Sequence, residues 1–184
     1  MNARTKLAEL IDNAALQNNS SGLQKERHAN RNMDASSSSS RSSYKYFESI
    51  PTRWKDNDLY GHVNNVEYYS FFDTIINRWL IELGGLDIHQ GPVIGVCAES
   101  HCRFIQSLVF PDTIEAGLRV AHLGRSSVRY EIGLFKEGAK SPAAEGWFVH
   151  VFVARDTRKP HPLPSHLRQA LETLSQESHK DTRP

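Results

Sequence analysis

The stretch Arg53–Asn65, RWKDNDLYGHVNN, packs an unusual amount of chemistry into thirteen positions. Asp56 and Asp58 are carboxylates two residues apart, Gly61 and His62 follow, and the asparagine pair Asn64 and Asn65 closes the run. A carboxylate next to an acyl carbonyl can attack it directly or deprotonate a water that attacks. Either route drives negative charge onto the carbonyl oxygen, which then needs hydrogen-bond donors. The sequence offers such donors, because VEYYSFFDTIINRWL begins at once and has the spacing of a helix. Asn64 and Asn65 are both good N-cap types, and the first N–H groups of a helix have no partner inside it. Asp58 is therefore a candidate catalytic carboxylate, with a turn or capping role as the plain alternative. Asp56 suits a structural pairing with Arg53 or Lys55. Gly61 permits a sharp turn or a close substrate approach. His62 serves either as an acid or base or as a hydrogen-bonding scaffold.

Several elements must hold that loop. YKYFESIPTRW (44–54) reads as a strand carrying Tyr44, Phe47, Ile50 and Trp54, with Pro51 marking an edge or a bulge. The helix is predicted from about Asn64 to Leu83, with Val66, Tyr69, Phe72, Ile76, Trp79, Leu80 and Leu83 on one apolar face. On that face Tyr69 is core or lines an acyl pocket. Gly84 and Gly85 end it as a left-handed cap would. Four β segments follow, 92–108, 112–124, 126–138 and 142–157, rich in Val, Ile, Phe and Tyr and joined by short turns that favour antiparallel hairpins. SHLRQALETL (165–174) reads as a terminal helix with Ser165 as N-cap. The fold expected is α+β: an antiparallel sheet curled around one long helix. It leaves an edge strand and apolar surface uncovered, which predicts association between copies.

The 184 residues carry a net charge of +1, with 39% hydrophobic and 23% charged. That suits one domain, from 44 to 176, plus an N-terminal tail (1–43) and a short C-terminal one (177–184). The N-terminal tail is polar and serine-rich, disordered or weakly helical around residues 4–17. Charges are spread along the chain, so nucleic acid is not an expected partner. No apolar run is long enough for a membrane span. Cys97 and Cys102 fall in one strand, and their separation of five predicts opposite faces and no bond between them. A reducing, cytoplasmic setting is expected. A mitochondrial one is the alternative, opposed by the acids of the N-terminal stretch. Motifs for a serine hydrolase elbow, a zinc protease or a phosphate loop are absent, and His101, His122 and His150 lack metal-ligand spacing, so no metal or cofactor is expected.

RWKDNDLYGHVNNVEYYSFFD resembles the signature R-x-x-D-x-D-x-x-G-H-x-N-N-x-x-Y of the hotdog-fold acyl-CoA thioesterases of the 4-hydroxybenzoyl-CoA thioesterase family. The likeness continues through FPDTIEA, GRSS and DTRKPHPLP. It implies hydrolysis of acyl-CoA or acyl-carrier-protein thioesters, with Asp58 as nucleophile or general base and the Asn65 backbone N–H polarising the carbonyl. It further implies Asn64 near the substrate, Arg125, Ser126 and Ser127 near the CoA arm, and a homodimer or homotetramer with the site at the interface. Some relatives carry histidine at the position of Asn65, so its side chain here cannot serve as a base. Glu67 and Asp73 are the helical carboxylates of a second lineage and read here as structural. A hydratase or dehydratase would need an Asp and His pair at another spacing than Asp58 and His62. An idle acyl-thioester binding protein is the third reading.

Overall fold

A computed structural model describes residues 39–175; the stretch 4–17 and the C-terminal tail lie outside them. Regular structure begins with a 3-10 turn at Arg41–Ser43, just ahead of the Tyr44 boundary read from composition. Here Ser39 Oγ accepts from Arg119, and Arg41 pairs with Glu115. Five strands follow: β1 (Tyr46–Pro51), β2 (Val93–Phe104), β3 (Thr113–Leu123), β4 (Ser127–Lys136) and β5 (Ala144–Ala154). They form one antiparallel sheet in the order β1-β3-β4-β5-β2. Helix α1 (Asn65–Glu82) lies between β1 and β2 in sequence, and α2 (Ser165–Glu172) ends the domain. A curled antiparallel sheet wrapped on one long helix is the hotdog arrangement expected.

Period-two alternation builds the core. Ile114, Ala116, Leu118 and Val120 on β3, and Val128, Tyr130, Ile132 and Leu134 on β4, are buried on the face that meets α1. Alternate residues such as Glu115, Arg119 and Glu131 point away and pair as ions, which is the pattern of a sheet with one covered face. Pro51 closes β1, an edge strand, where a missing N–H costs no ladder bond.

Helix α1 buries Tyr68, Phe71, Phe72, Ile75, Ile76, Trp79 and Leu80. The expected stripe is right from Phe72 to Leu80 but one residue out of phase at its start, since Val66 is 70% and Leu83 57% exposed. Steps of three and four chosen without the sheet drift around the helix, and contact with the sheet fixes the phase. Gly85, at φ +68°, supplies the left-handed cap, and Leu86 N–H closes back on the Leu80 carbonyl. Two further expectations are corrected. Trp54 leaves the strand for a 3-10 turn, Trp54–Asp56, and is 79% exposed against the Phe110 ring. Ser165 is the first helical residue of α2, after Pro164 at the N-cap position, which donates no side-chain cap.

The cysteines are corrected as well. Cys97 stands opposite His150 and Cys102 opposite Gly146, so both face the same side of β2. A bulge between Cys97 and Glu99 inserts one residue and reverses the alternation. They remain free, because partners four residues apart on β5 separate them by about 13 Å along the strand, beyond disulfide reach.

His150 is the one buried histidine of the described core, and burial lowers its pKa below the ordinary 6.5 against a smaller opposing pull from Asp73. A base whose folded pKa lies below its unfolded one takes up protons on unfolding in acid. Its contribution is whole above about pH 6.5 and is lost as pH falls through that value toward the folded pKa. Urea midpoints should fall between pH 7.5 and 5.5, and His150→Leu should flatten that slope.

Candidate active site

The loop before α1 is organised by its own polar residues. Asp56 is fully buried: Oδ1 accepts from Arg53 Nε and Nη2, both at 2.9 Å, and Oδ2 from the Arg53 backbone N–H at 2.7 Å. Its carbonyl accepts from Asn64 N–H at 2.8 Å, and Arg53 reaches on to Glu67 in the first turn of α1 at 3.1 Å. Breaking a buried pair of this kind leaves an uncompensated charge, so Asp56 ties the loop to the helix rather than reacting.

Asp58 opens a tight turn. Gly61 N–H donates to the Asp58 carbonyl at 3.1 Å and Asp58 N–H to the His62 carbonyl at 2.8 Å. Gly61 sits at φ +84°, the left-handed position that ends such a turn. The Asp58 side chain is fixed by the same turn, because Oδ1 accepts from Tyr60 N–H at 2.8 Å. Oδ2 has no partner among the described residues, so one oxygen orients the carboxylate and the other is available to react.

At the helix start the orphan donors are taken up selectively. Asn64 is the N-cap, its Oδ1 accepting from Val66 N–H at 3.2 Å and its carbonyl from Glu67 N–H at 2.9 Å. Asn65 N–H is left without an acceptor among the described residues. A cleft of about 290 Å³ joins these groups. Its walls are Asp58, Tyr60 and His62 from the loop, Asn65 and Tyr68 from α1, and Phe104 to Ser107 at the end of β2.

Tyr68 was not singled out by the sequence reading, although it is the tyrosine that ends the quoted signature. Its Oη accepts from Leu108 N–H at 3.3 Å, which leaves its own O–H free to donate. Burial pushes the phenol up, so it stays protonated and acts as a donor. Helical side chains lean toward the N-terminus, which brings that hydroxyl back toward Asn65. Cys102 does not compete as a nucleophile, since burial raises its thiol to about 11.

The other sequence candidates are placed as follows. Asp58, Gly61, His62, Asn64 and Asn65 are gathered at the cleft. Tyr69 is one turn further along α1, against the rings of Phe72 and Phe148 at 6.2 and 6.3 Å. Arg125 and Ser126 lie in the β3–β4 turn and Ser127 opens β4; the Arg125 and Ser126 carbonyls accept from Leu163 and Phe152 N–H. Ser127 pairs with Val151, whereas the cleft end of β2 pairs with Ala144, roughly 23 Å away along β5. Within the chain, therefore, this turn and Asp58 lie at opposite ends of the sheet.

Comparison with known proteins agrees with this fold. The PA5185 protein from Pseudomonas aeruginosa strain PAO1 is 52% identical, with 77% of this chain and 99% of that chain covered at a TM-score of 0.75. The PA2801 protein of the same species is 29% identical over 70% of this chain and 98% of its own, at a TM-score of 0.65. The BH1999 gentisyl-coenzyme A thioesterase shares the fold at 23% identity and a TM-score of 0.61, over 68% of this chain and 99% of that one. The family model of the thioesterase-like superfamily matches residues 52–171, which span the Asp58 loop, α1 and strands β2 to β5. A carboxylate set against a free N–H at the start of the central helix thus lies within the matched region, and the chain belongs to the thioesterase-like superfamily.

Proposed function

We propose that this protein hydrolyses acyl-CoA thioesters, with Asp58 as the reacting carboxylate and Asn65 N–H as the donor to the thioester oxygen. The observation that carries the reading is the pairing of a free Asp58 Oδ2 with an unpartnered Asn65 N–H on one cleft. The named activity of the gentisyl-coenzyme A thioesterase supports a CoA thioester over an acyl-carrier-protein one. Kinship with the 4-hydroxybenzoyl-CoA thioesterases, the narrower reading, rests on the same Asp58 to Tyr68 signature.

Two routes fit. In one, Asp58 takes a proton from water, the hydroxide adds to the carbonyl carbon, and the C–S bond breaks as the thiolate leaves and picks up a proton. In the other, Asp58 adds directly, the thiolate leaves, and water then cleaves the acyl-aspartyl anhydride to the free acid. In both, Asn65 N–H and the Tyr68 hydroxyl stabilise the oxyanion. His62, exposed beside the cleft, supports the turn through its carbonyl.

The reading includes a homodimer. β2 is an edge strand of twelve residues with no neighbour on its outer side among the described residues, and antiparallel pairing of two copies there would carry the Arg125–Ser127 segment of one toward the cleft of the other. Those residues then serve the CoA arm across the interface. Two free cysteines suit a reducing compartment.

The test is thiol release from a panel of acyl-CoAs of graded length. Release from none of them overturns the proposal. Within it, Tyr68→Phe should lower kcat about tenfold with little change in KM.

A further inference from the structure

The stretch Leu108–Phe110, between β2 and β3, makes three hydrogen bonds to the elements around the Asp58 cleft. The Leu108 carbonyl accepts from Val63 N–H at 2.8 Å, Leu108 N–H donates to Tyr68 Oη at 3.3 Å, and Phe110 N–H donates to Asn57 Oδ1 at 3.1 Å. Val63 leads into the Asn64 cap, Tyr68 carries the free hydroxyl, and Asn57 immediately precedes Asp58. The helix start, the hydroxyl and the carboxylate are therefore all referred to one short piece of chain. That piece is itself fixed, since Leu108 is fully buried and the Phe110 ring meets Trp54 edge to face at 5.7 Å. Gln106 and Ser107, just ahead of it, belong to the cleft wall that also includes Phe104.

The bond from Val63 joins backbone to backbone and forms whatever the side chains are. The Tyr68 hydroxyl has a part in the chemistry of its own. Only the Asn57 bond depends on a side chain that is not itself a wall of the cleft. Asn57 and Val63 stand opposite each other as an antiparallel bridge across the neck of the Asp58 turn. Tyr60 N–H sets the direction of the carboxylate at the tip of that turn. The Asn57 bond holds the neck, and with it the place from which the carboxylate projects.

We propose that Asn57 is a positioning residue of this site: by accepting from Phe110 N–H it holds the Asp58 carboxylate in place relative to Asn65 N–H. This deepens the thioesterase reading and rests on it. A reacting group displaced by about an ångström loses up to about a hundredfold in rate, so one side-chain bond at the neck of the turn is enough to matter.

The test uses the best acyl-CoA of the panel, with kinetics read well below each variant's thermal midpoint. Asn57→Leu matches the side chain in size and removes the acceptor. It should lower kcat about thirtyfold with KM nearly unchanged. Asn57→Ser, too short to reach Phe110, should behave alike. Combined with Asp58→Asn, Asn57→Leu should remove nothing further from kcat, because the group it positions has gone. A folded Asn57 variant with kcat within about twofold of the unaltered protein, or losses that multiply in the double variant, overturns this inference alone. Failure of both Asn57 variants to fold assigns the bond to stability and overturns it as well. Absence of hydrolysis by the unaltered protein overturns the thioesterase reading and this inference with it.

Discussion

Asp58→Asn is expected to lower kcat by about a thousandfold and to leave the fold intact. The exchange is nearly isosteric, and the asparagine carbonyl oxygen still accepts from Tyr60 N–H, the bond that now fixes Asp58 Oδ1. What disappears is the charge and basicity of the second oxygen. Steady-state kinetics with the best substrate of the panel, alongside a thermal midpoint, decide the matter. A variant that retains full turnover would remove Asp58 from the chemistry, and one that unfolds would assign it to the turn.

Asn65→Pro removes the backbone N–H together with the side-chain amide and is expected to cost about a hundredfold in kcat. Proline is tolerated at the first position of a helix, where the N–H has no partner within the helix. The residue before a proline must be extended, and Asn64, at φ −61° and ψ 141°, already is. Helix α1 should therefore survive, as circular dichroism would show, while the oxyanion loses its donor. Asn65→Ala is the control: it keeps the N–H and should keep most of the activity, since the side chain carries no proposed role in the chemistry. Equal loss in both variants would transfer the function from the backbone to the amide side chain.

How far the sequence was legible depended on the range of the interactions. The Asp58 turn is local: Gly61 at φ +84° and the Tyr60 N–H bond to Asp58 both fall within four residues, so residue types and spacing were enough. The Asn64 cap is local in the same way. The free donor of Tyr68 is not, because it depends on a bond from Leu108, forty residues later. The helix stripe illustrates the same limit, as Tyr68 rather than Tyr69 faces inward only because of how α1 meets the sheet. The side shared by Cys97 and Cys102 required a bulge that no turn residue announces. The grouping of Arg125 to Ser127 with Asp58 came from resemblance, and chain geometry sets them at opposite ends of the sheet.

The bulge in β2 also bears on how such a protein could change over generations. Ala98 is the extra residue between the Cys97–His150 and Glu99–Val149 pairs. Deleting Ala98 would leave every remaining pair with β5 in place and make the ladder regular, so both halves of the strand would keep the side chains they now turn inward. A single codon loss would remove only the local kink and added twist of a bulge, so length variation at this position is a route by which lineages could re-aim β2 without exchanging any inward-facing residue.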